Sequence, residues 1–354
     1  MTTPSIPAAA PAVLKLAPYQ SARMLNAFDP NKTYLDANEL PVSPPPTAID
    51  YSEMQHYAHA GPRQMIAAYA GYAGVDVSSV VATRGIDEGI DLLIRTYSEP
   101  GQDRILIMGP TYGMYAVCAA AHRVETVDLP LVDLMEPDLE RLEALDPWPK
   151  VIFLCRPNNP TGHVMSKASV EAVLEMARGR SIVAVDEAYI EFCPAETLVP
   201  LLKDHANLVV MRTLSKGFGL AGIHTGFLLA HPQIVDAVNR IANPYPIPEP
   251  CAQIALDALS ADGLQRLERN QQDIARARAT LEEALLQNPN CEHVMPSETN
   301  YLLTKWRDPK PPLQALQDAQ ILPRPVQLMG EAQVRIRISI GTQEDTARVI
   351  SAVS

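Results

Sequence analysis

Val151-Ile152-Phe153-Leu154-Cys155 runs directly into Arg156-Pro157-Asn158-Asn159-Pro160-Thr161-Gly162. Five apolar residues that stop at a turn rich in proline, asparagine and glycine predict a short, fully buried strand. The pattern recurs along the chain. Residues 104–108 stop at Gly109-Pro110, residues 182–185 at Asp186-Glu187, and residues 208–211 just before Thr213-Leu214-Ser215-Lys216. Residues 226–230 are a further apolar run, and 124–129, interrupted by Glu125, Thr126 and Asp128, a further strand-like stretch. Between several of them lie helical patterns, at 86–97 (Ile86, Ile90, Leu93, Ile94 and Tyr97 in helical spacing), 113–121, 166–178 and 232–241. Strands that are apolar on both faces and alternate with helices predict an α/β fold, a mostly parallel sheet covered by helices. Such sheets place ligands at the carboxyl ends of their strands.

The remainder of the chain reads differently. Residues 1–12 have small side chains without a basic head or a long apolar stretch, which predicts a loose tail and not a signal peptide. Pro41, Pro44, Pro45 and Pro46 make residues 1–50 an extended arm that lies on another part of the fold. Residues 262–286 predict a long charged helix leading out of the large domain. Strand-like alternation at 300–306 and 333–340, with helical patterns at 312–319 and 344–353, predicts a small α+β domain. The expected organisation is arm 1–50, joining the small domain, large domain 51–285, small domain 286–354.

Composition narrows the function. The 354 residues carry 29 Lys and Arg against 41 Asp and Glu, a net charge of −12, so a general affinity for nucleic acid or for anionic membranes is not expected. No apolar run reaches the length of a membrane span. The five cysteines are odd in number and form no C-x-x-C pair. That argues against a disulfide framework or a metal site and for a reducing, cytoplasmic setting.

Four strand ends carry chemistry. Asn159 sits in the polar turn after residues 151–155, a segment that would also serve simply as a turn. Asp186 follows an apolar run, where a buried carboxylate is costly unless it meets a cation or accepts hydrogen bonds; its plainer role is a helix cap. Lys216, next to Ser215 and two glycines, would ordinarily be a solvated loop lysine, but at a strand end its amine could form a Schiff base. Thr83-Arg84-Gly85-Ile86-Asp87-Glu88-Gly89 opens a helix, whose free N–H groups suit a phosphate. Each signal alone is weak. Together they are the parts needed to hold pyridoxal 5′-phosphate. No G-x-G-x-x-G follows a first strand, so a nicotinamide cofactor has no fingerprint here.

The chain resembles the fold-type I pyridoxal-phosphate aminotransferases, and among them the histidinol-phosphate aminotransferases. The matches are L-A-P-Y-Q-S-A-R (16–23), L-D-A-N-E (35–39), R-G-I-D-E-G-I (84–90), P-T-Y-G-M-Y (110–115), P-N-N-P-T-G (157–162), D-E-A-Y-I-E-F (186–192), T-L-S-K (213–216), S-E-T-N-Y (297–301) and R-I-S-I-G-T (337–342). The resemblance implies transamination of histidinol phosphate with 2-oxoglutarate, giving imidazole acetol phosphate and glutamate, by a homodimer with shared active sites. It implies that Lys216 is the Schiff-base lysine, which moves the proton between the substrate Cα and the cofactor C4′. Asp186 pairs with the pyridine nitrogen, Asn159 and Tyr189 bind the phenolic oxygen, and Tyr112 stacks on the ring. The backbone of Ile86, Asp87 and Glu88 holds the cofactor phosphate with Ser215, and Tyr57 reaches the phosphate of the neighbouring subunit. Arg337 takes the substrate phosphate, assisted by Arg324, and Tyr19 and Asn38 line the substrate side.

Two positions depart from the family pattern. Tyr57 is followed by Ala58 where the family has proline. His224 in Leu220-Ala221-Gly222-Ile223-His224-Thr225-Gly226 stands where the family places an arginine on the cofactor phosphate. Its replacement is either drift at a tolerant position or a source of weaker, pH-dependent cofactor retention. The competing readings are an aromatic aminotransferase, a threonine-phosphate decarboxylase, or an inactive cofactor-binding paralogue or regulator. Lys216 argues against an inactive form, and the short stretch before the matched region leaves no room for the DNA-binding domain of such a regulator.

Overall fold

The computed structural model describes residues 11–16, 24, 29–52, 54–58 and 60–354. Tyr19 lies outside the described residues. The strands, in chain order, are β1 Thr33–Leu35, β2 Val80–Thr83, β3 Arg104–Ile107, β4 Glu125–Asp128, β5 Val151–Cys155, β6 Ile182–Asp186, β7 Leu208–Thr213, β8 Gly226–Ala230, β9 Cys291–Val294, β10 Tyr301–Trp306, β11 Ile321–Val326 and β12 Arg335–Ser339. The helices of eight or more residues are α1 Ala60–Ala73, α2 Gly85–Tyr97, α3 Met114–Ala121, α4 Lys167–Met176, α5 Pro232–Asn239, α6 Glu249–Ala258, α7 Ala261–Gln287, α8 Lys310–Asp318 and α9 Gln343–Val353.

Among the described residues, seven strands form a sheet in the order β2-β8-β7-β6-β5-β3-β4. The run β7-β6-β5-β3-β4 is parallel throughout. β8 is antiparallel to both of its neighbours, β7 and β2. The sheet is thus mostly parallel, as the unbroken apolar runs predict, with one reversed strand that an apolar run cannot reveal. Every residue of β5, β6 and β7 is buried. Their side chains alternate between two cores, as strand geometry requires. Ile152, Leu154, Val183, Val185 and Val210 pack on one face with Met65 and Tyr69 of α1. Val151, Phe153, Ala184, Val209 and Met211 pack on the other with Ile90 and Leu93 of α2 and Tyr115 of α3.

The second sheet has the order β1-β11-β12-β10-β9. The arm contributes β1, which pairs in parallel with β11, so residues from the start of the chain are built into a sheet otherwise made near its end. α7 closes one side of this sheet with Ile274, Ala277, Leu281 and Leu285 against Leu302, Trp306, Ile336 and Ile338. α9 is held at its start by a reciprocal cap between Thr342 and Asp345. Among the described residues no helix is long and apolar enough to cross a membrane.

One contact sets how closely the sheet approaches α2. A Cβ built on Gly226, the first residue of β8, would lie 2.7 Å from the backbone carbon of Gly85 and 3.0 Å from the Arg212 carbonyl oxygen. Backbone atoms cannot swing aside as a flexible side chain can. Gly226→Ala is therefore expected to lower stability by about 1–3 kcal/mol in urea unfolding. Gly222→Ala, whose Cβ meets nothing within 4 Å, is the control and is expected to be near neutral. Equal unfolding midpoints for native protein and Gly226→Ala would refute this close packing.

Candidate functional site

Register brings the chemistry-bearing loops to one edge. Cys155 lies opposite Asp186 and Asp186 opposite Met211, so β5, β6 and β7 end side by side. Because β8 runs the other way, it begins at this edge, with Gly226 opposite Thr213 on one side and Thr83 on the other. The loops after β2, β3, β5, β6 and β7 and the loop before β8 therefore open onto one cavity of about 630 Å³. Residues 36–39 of the arm and strands β11 and β12 of the second sheet complete its wall.

Two ionisable groups lie deep in this cavity. Lys216 is half-buried on the cavity wall and its Nζ donates to the Ala37 carbonyl oxygen at 2.8 Å. Burial first, and then the nearby Arg337 cation, pull its pKa down to about 8. Asp186 is buried, and that burial pushes its pKa up to about 6, although Tyr115 Oη donates to Oδ2 at 2.7 Å and the Ala188 N–H donates to Oδ1 at 3.0 Å. Neither group forms an ion pair with another described residue. A buried acid and a partly desolvated amine kept in this way are costly to the fold, and such perturbed groups gather at reactive sites.

The start of α2 forms another part of the wall. Ile86 and Asp87 line the cavity, and Asp87 Oδ1 accepts from Tyr112 Oη at 3.0 Å. The Glu88 side chain turns away and pairs with Arg84, at 2.7 Å from Nη2, so only its backbone belongs to the helix start. Ser215 lines the cavity beside Lys216, its N–H donating to Thr213 Oγ1. His224 adopts a left-handed φ of 46° and brings its ring over Gly85; a Cβ on Gly85 would lie 2.7 Å from the imidazole Cε1. The histidine ring thus lies at the helix start.

From the second sheet, Arg337 reaches across. Its Nη1 donates to Asn159 Oδ1 at 2.6 Å and its Nη2 to the Asp36 carbonyl at 2.8 Å. Arg324 of β11 stands directly opposite Arg337 in the β11–β12 register, and both line the cavity. Like charges placed opposite one another across a strand pair repel unless an anion lies between or beside them. Asn38 and Tyr189 meet at the same wall, with Asn38 Nδ2 donating to Tyr189 Oη at 2.9 Å.

Tyr57 is the expected residue that this chain does not bring to its own cavity. It is 76% exposed and stacks on Tyr245 with ring centroids 4.4 Å apart. Several residues that hold the site escaped the sequence reading. Tyr115 comes three residues after Tyr112, a helical spacing that could have singled it out. Arg156, fully buried, anchors the turn containing Asn159 through Nε to the Met165 carbonyl at 2.6 Å and Nη2 to Glu196 at 2.7 Å. Arg212 ties β7 to the segment after β6 through Nε to Glu187 Oε2 at 2.7 Å. Glu191 packs under Gly217, next to Lys216. Gly162, at φ 82°, lets the same turn lie on Ser297, since a Cβ there would come within 2.4 Å of Oγ.

Comparison with known proteins agrees with this geometry. The family model for class I and II aminotransferases matches residues 31–353. The chain is 41% identical over 341 residues to histidinol-phosphate aminotransferase of Pectobacterium carotovorum, covering 96% of this chain and 95% of that protein. It is 40% identical over 339 residues to histidinol-phosphate aminotransferase 1 of Haemophilus influenzae, with 96% and 95% covered. A crystal structure of histidinol-phosphate aminotransferase from Sinorhizobium meliloti, in complex with pyridoxal-5′-phosphate, superposes with a TM-score of 0.84 over 99% of this chain and 97% of that one. At 22% identity that likeness speaks to the fold. The chain belongs to the class I and II aminotransferases and, within them, to the histidinol-phosphate aminotransferases.

Proposed function

We propose that the chain is a pyridoxal-phosphate-dependent transaminase that moves the amino group of L-histidinol phosphate to 2-oxoglutarate in histidine biosynthesis. The observation that carries the substrate reading is the cross-strand pair Arg324 and Arg337 on the cavity wall. Two arginines paired across a ladder and lining one cavity, Arg337 buried and Arg324 half-buried, suit a phosphate dianion better than a single carboxylate.

The residues present fit the cofactor. A buried carboxylate at Asp186 and a half-buried amine at Lys216 facing the same cavity, each without an ion-pair partner, are what a cationic ring nitrogen and a reactive aldehyde would meet. In this reading the backbone N–H groups of Ile86, Asp87 and Glu88, with Ser215 and His224, hold the cofactor phosphate. Asp186, oriented by Tyr115, holds a proton on the ring nitrogen. Asn159 and Tyr189 bind the ring oxygen, and Tyr112 lies against the ring. When bound, pyridoxal phosphate supplies an electron sink for the electron pair left at the substrate Cα. Lys216 is its attachment point, and its Nζ takes and returns the Cα proton. Arg337 and Arg324 bind the substrate phosphate, with Asn38 on the same side.

The same reading divides the chain near residues 50 and 285 into an arm, a cofactor domain and a small domain. It makes the protein a cytoplasmic homodimer with shared sites, in which Tyr57 serves the neighbouring subunit's cofactor phosphate. The exposed Tyr57–Tyr245 stack supports such an assembly.

Two predictions follow from these groups. A lysine with a pKa of about 8 is charged below that pH and becomes a free nucleophile above it. In cofactor-free protein, carbamylation of Lys216 by cyanate, followed by peptide mass spectrometry, should reach half its maximal rate near pH 8. A half-point above pH 10, as for solvated lysines, would remove the burial and Arg337 effects from the account. Arg337→Ala and Arg324→Ala should each raise the KM for histidinol phosphate, by about 10- to 100-fold for Arg337, and leave cofactor affinity much less changed. An unchanged KM in both variants would sink the phosphate reading.

A further inference from the structure

Asn38 lies at the meeting point of the arm and both sheets. It takes a left-handed φ of 54°, a conformation asparagine tolerates better than most residues. Asn300 holds it there by donating from Nδ2 to the Asn38 carbonyl at 3.0 Å. The Asn38 N–H donates to Ser339 Oγ at 3.0 Å, and Ser339 Oγ donates in turn to Asn38 Oδ1 at 3.1 Å. The side-chain amide is thereby oriented with its NH₂ toward Tyr189, to which Nδ2 donates at 2.9 Å. The flipped amide would aim a second N–H at Ser339 Oγ and leave the serine hydrogen stranded in buried surroundings. Asn38, Tyr189, Asn300 and Ser339 are all buried, so water does not compete for these contacts.

The direction of this chain has a consequence at its end. A tyrosine that accepts from an amide NH₂ cannot return its own hydrogen to that group. Burial raises the Tyr189 pKa, so the hydroxyl keeps its proton, and Tyr189 lines the cavity. We propose that Ser339 and Asn38 are positioning residues that set the hydrogen-bond polarity of Tyr189, fixing it as a donor toward the ring oxygen of the bound cofactor. The inference rests on the reading that Tyr189 faces that oxygen. It gives Asn38 a task other than direct contact with substrate. It also gives Ser339, two residues beyond Arg337 on β12, a part in the site that reaches the cofactor only through others.

The test is the pH midpoint of the visible absorption band of the bound cofactor, measured on holoenzyme, together with cofactor affinity. A donor to the ring oxygen stabilises its negative charge, so losing the donor lets the cofactor keep its proton to higher pH. Tyr189→Phe should raise the midpoint by about one unit. Asn38→Asp keeps the side-chain shape but removes the N–H, so the Tyr189 hydrogen turns toward the carboxylate; the midpoint should rise in the same direction. Ser339→Ala should do likewise to a smaller extent, and Ser339→Thr, which keeps the hydroxyl, should restore the native value. Adding Asn38→Asp to Tyr189→Phe should move the midpoint by clearly less than Asn38→Asp does alone, the remainder being the direct effect of the new carboxylate's charge; a full additive shift would overturn the relay. The other titratable groups around Tyr189 are Arg337, Asp186, Cys155, Lys216 and Tyr301; no variant removes any of them, and only Asn38→Asp adds one, whose charge the Ser339→Ala arm is free of. If Tyr189→Phe shifts the band while Asn38→Asp and Ser339→Ala leave it native, the relay is wrong and the placement of Tyr189 stands. If Tyr189→Phe itself leaves the band unmoved, the placement fails and the relay with it.

Discussion

A lysine amine set into a cavity wall and a buried carboxylate, at one edge of a mostly parallel sheet and neither ion-paired, are the constraint around which this molecule is built. Ionisable groups in such surroundings lose solvation that the few hydrogen bonds to them replace only in part, and their pKa values move toward the uncharged forms. Burial takes Lys216 down to about 8 and Asp186 up to about 6, so each is displaced toward the range in which proton transfer is useful. The surrounding structure must be rigid enough to keep water out and the two groups in place. The fully buried strands β5, β6 and β7 and the anchors Arg156 and Arg212 provide that rigidity.

The arm finishes what the sheet begins. Three consecutive residues each satisfy a different working group: the Asp36 carbonyl accepts from Arg337, the Ala37 carbonyl from Lys216, and Asn38 donates to Tyr189. β1, immediately before them, is fastened to β11 of the second sheet. The arm therefore links the strand ends that hold the lysine and the buried acid to the strands that carry Arg324 and Arg337. The two arginines face each other in register, a placement that favours an anion in the cavity.

Much of this was legible in the sequence, because unbroken apolar runs and the turns that end them identify both buried strands and the edge where ligands bind. Lys216, Asp186, Asn159, Tyr189 and the start of α2 all follow from that reading and share one cavity. What was missed has physical causes. β11 contains Pro323 and Pro325, which cannot donate to a ladder and so hide a strand lying between β1 and β12. α1, with Gly61, Pro62 and Gly71, is a weak helix by propensity and is stabilised by burying Met65 and Tyr69. The reversal of β8 depends on where the chain turns, not on which residues are apolar. Arg156, Arg212 and Ser339 act through hydrogen bonds to residues distant in the chain, which no local spacing encodes.

The central claim is that this cavity transaminates a phosphorylated amine, and the most direct measurement compares kcat/KM for histidinol phosphate and for histidinol with 2-oxoglutarate as acceptor. The account predicts glutamate formation without release of carbon dioxide, and a loss of roughly a hundredfold or more when the phosphate is absent, because the two cavity arginines then lose their anion. Equal kcat/KM for the two substrates, or carbon dioxide release from a phosphorylated amino acid in place of glutamate formation, would contradict it.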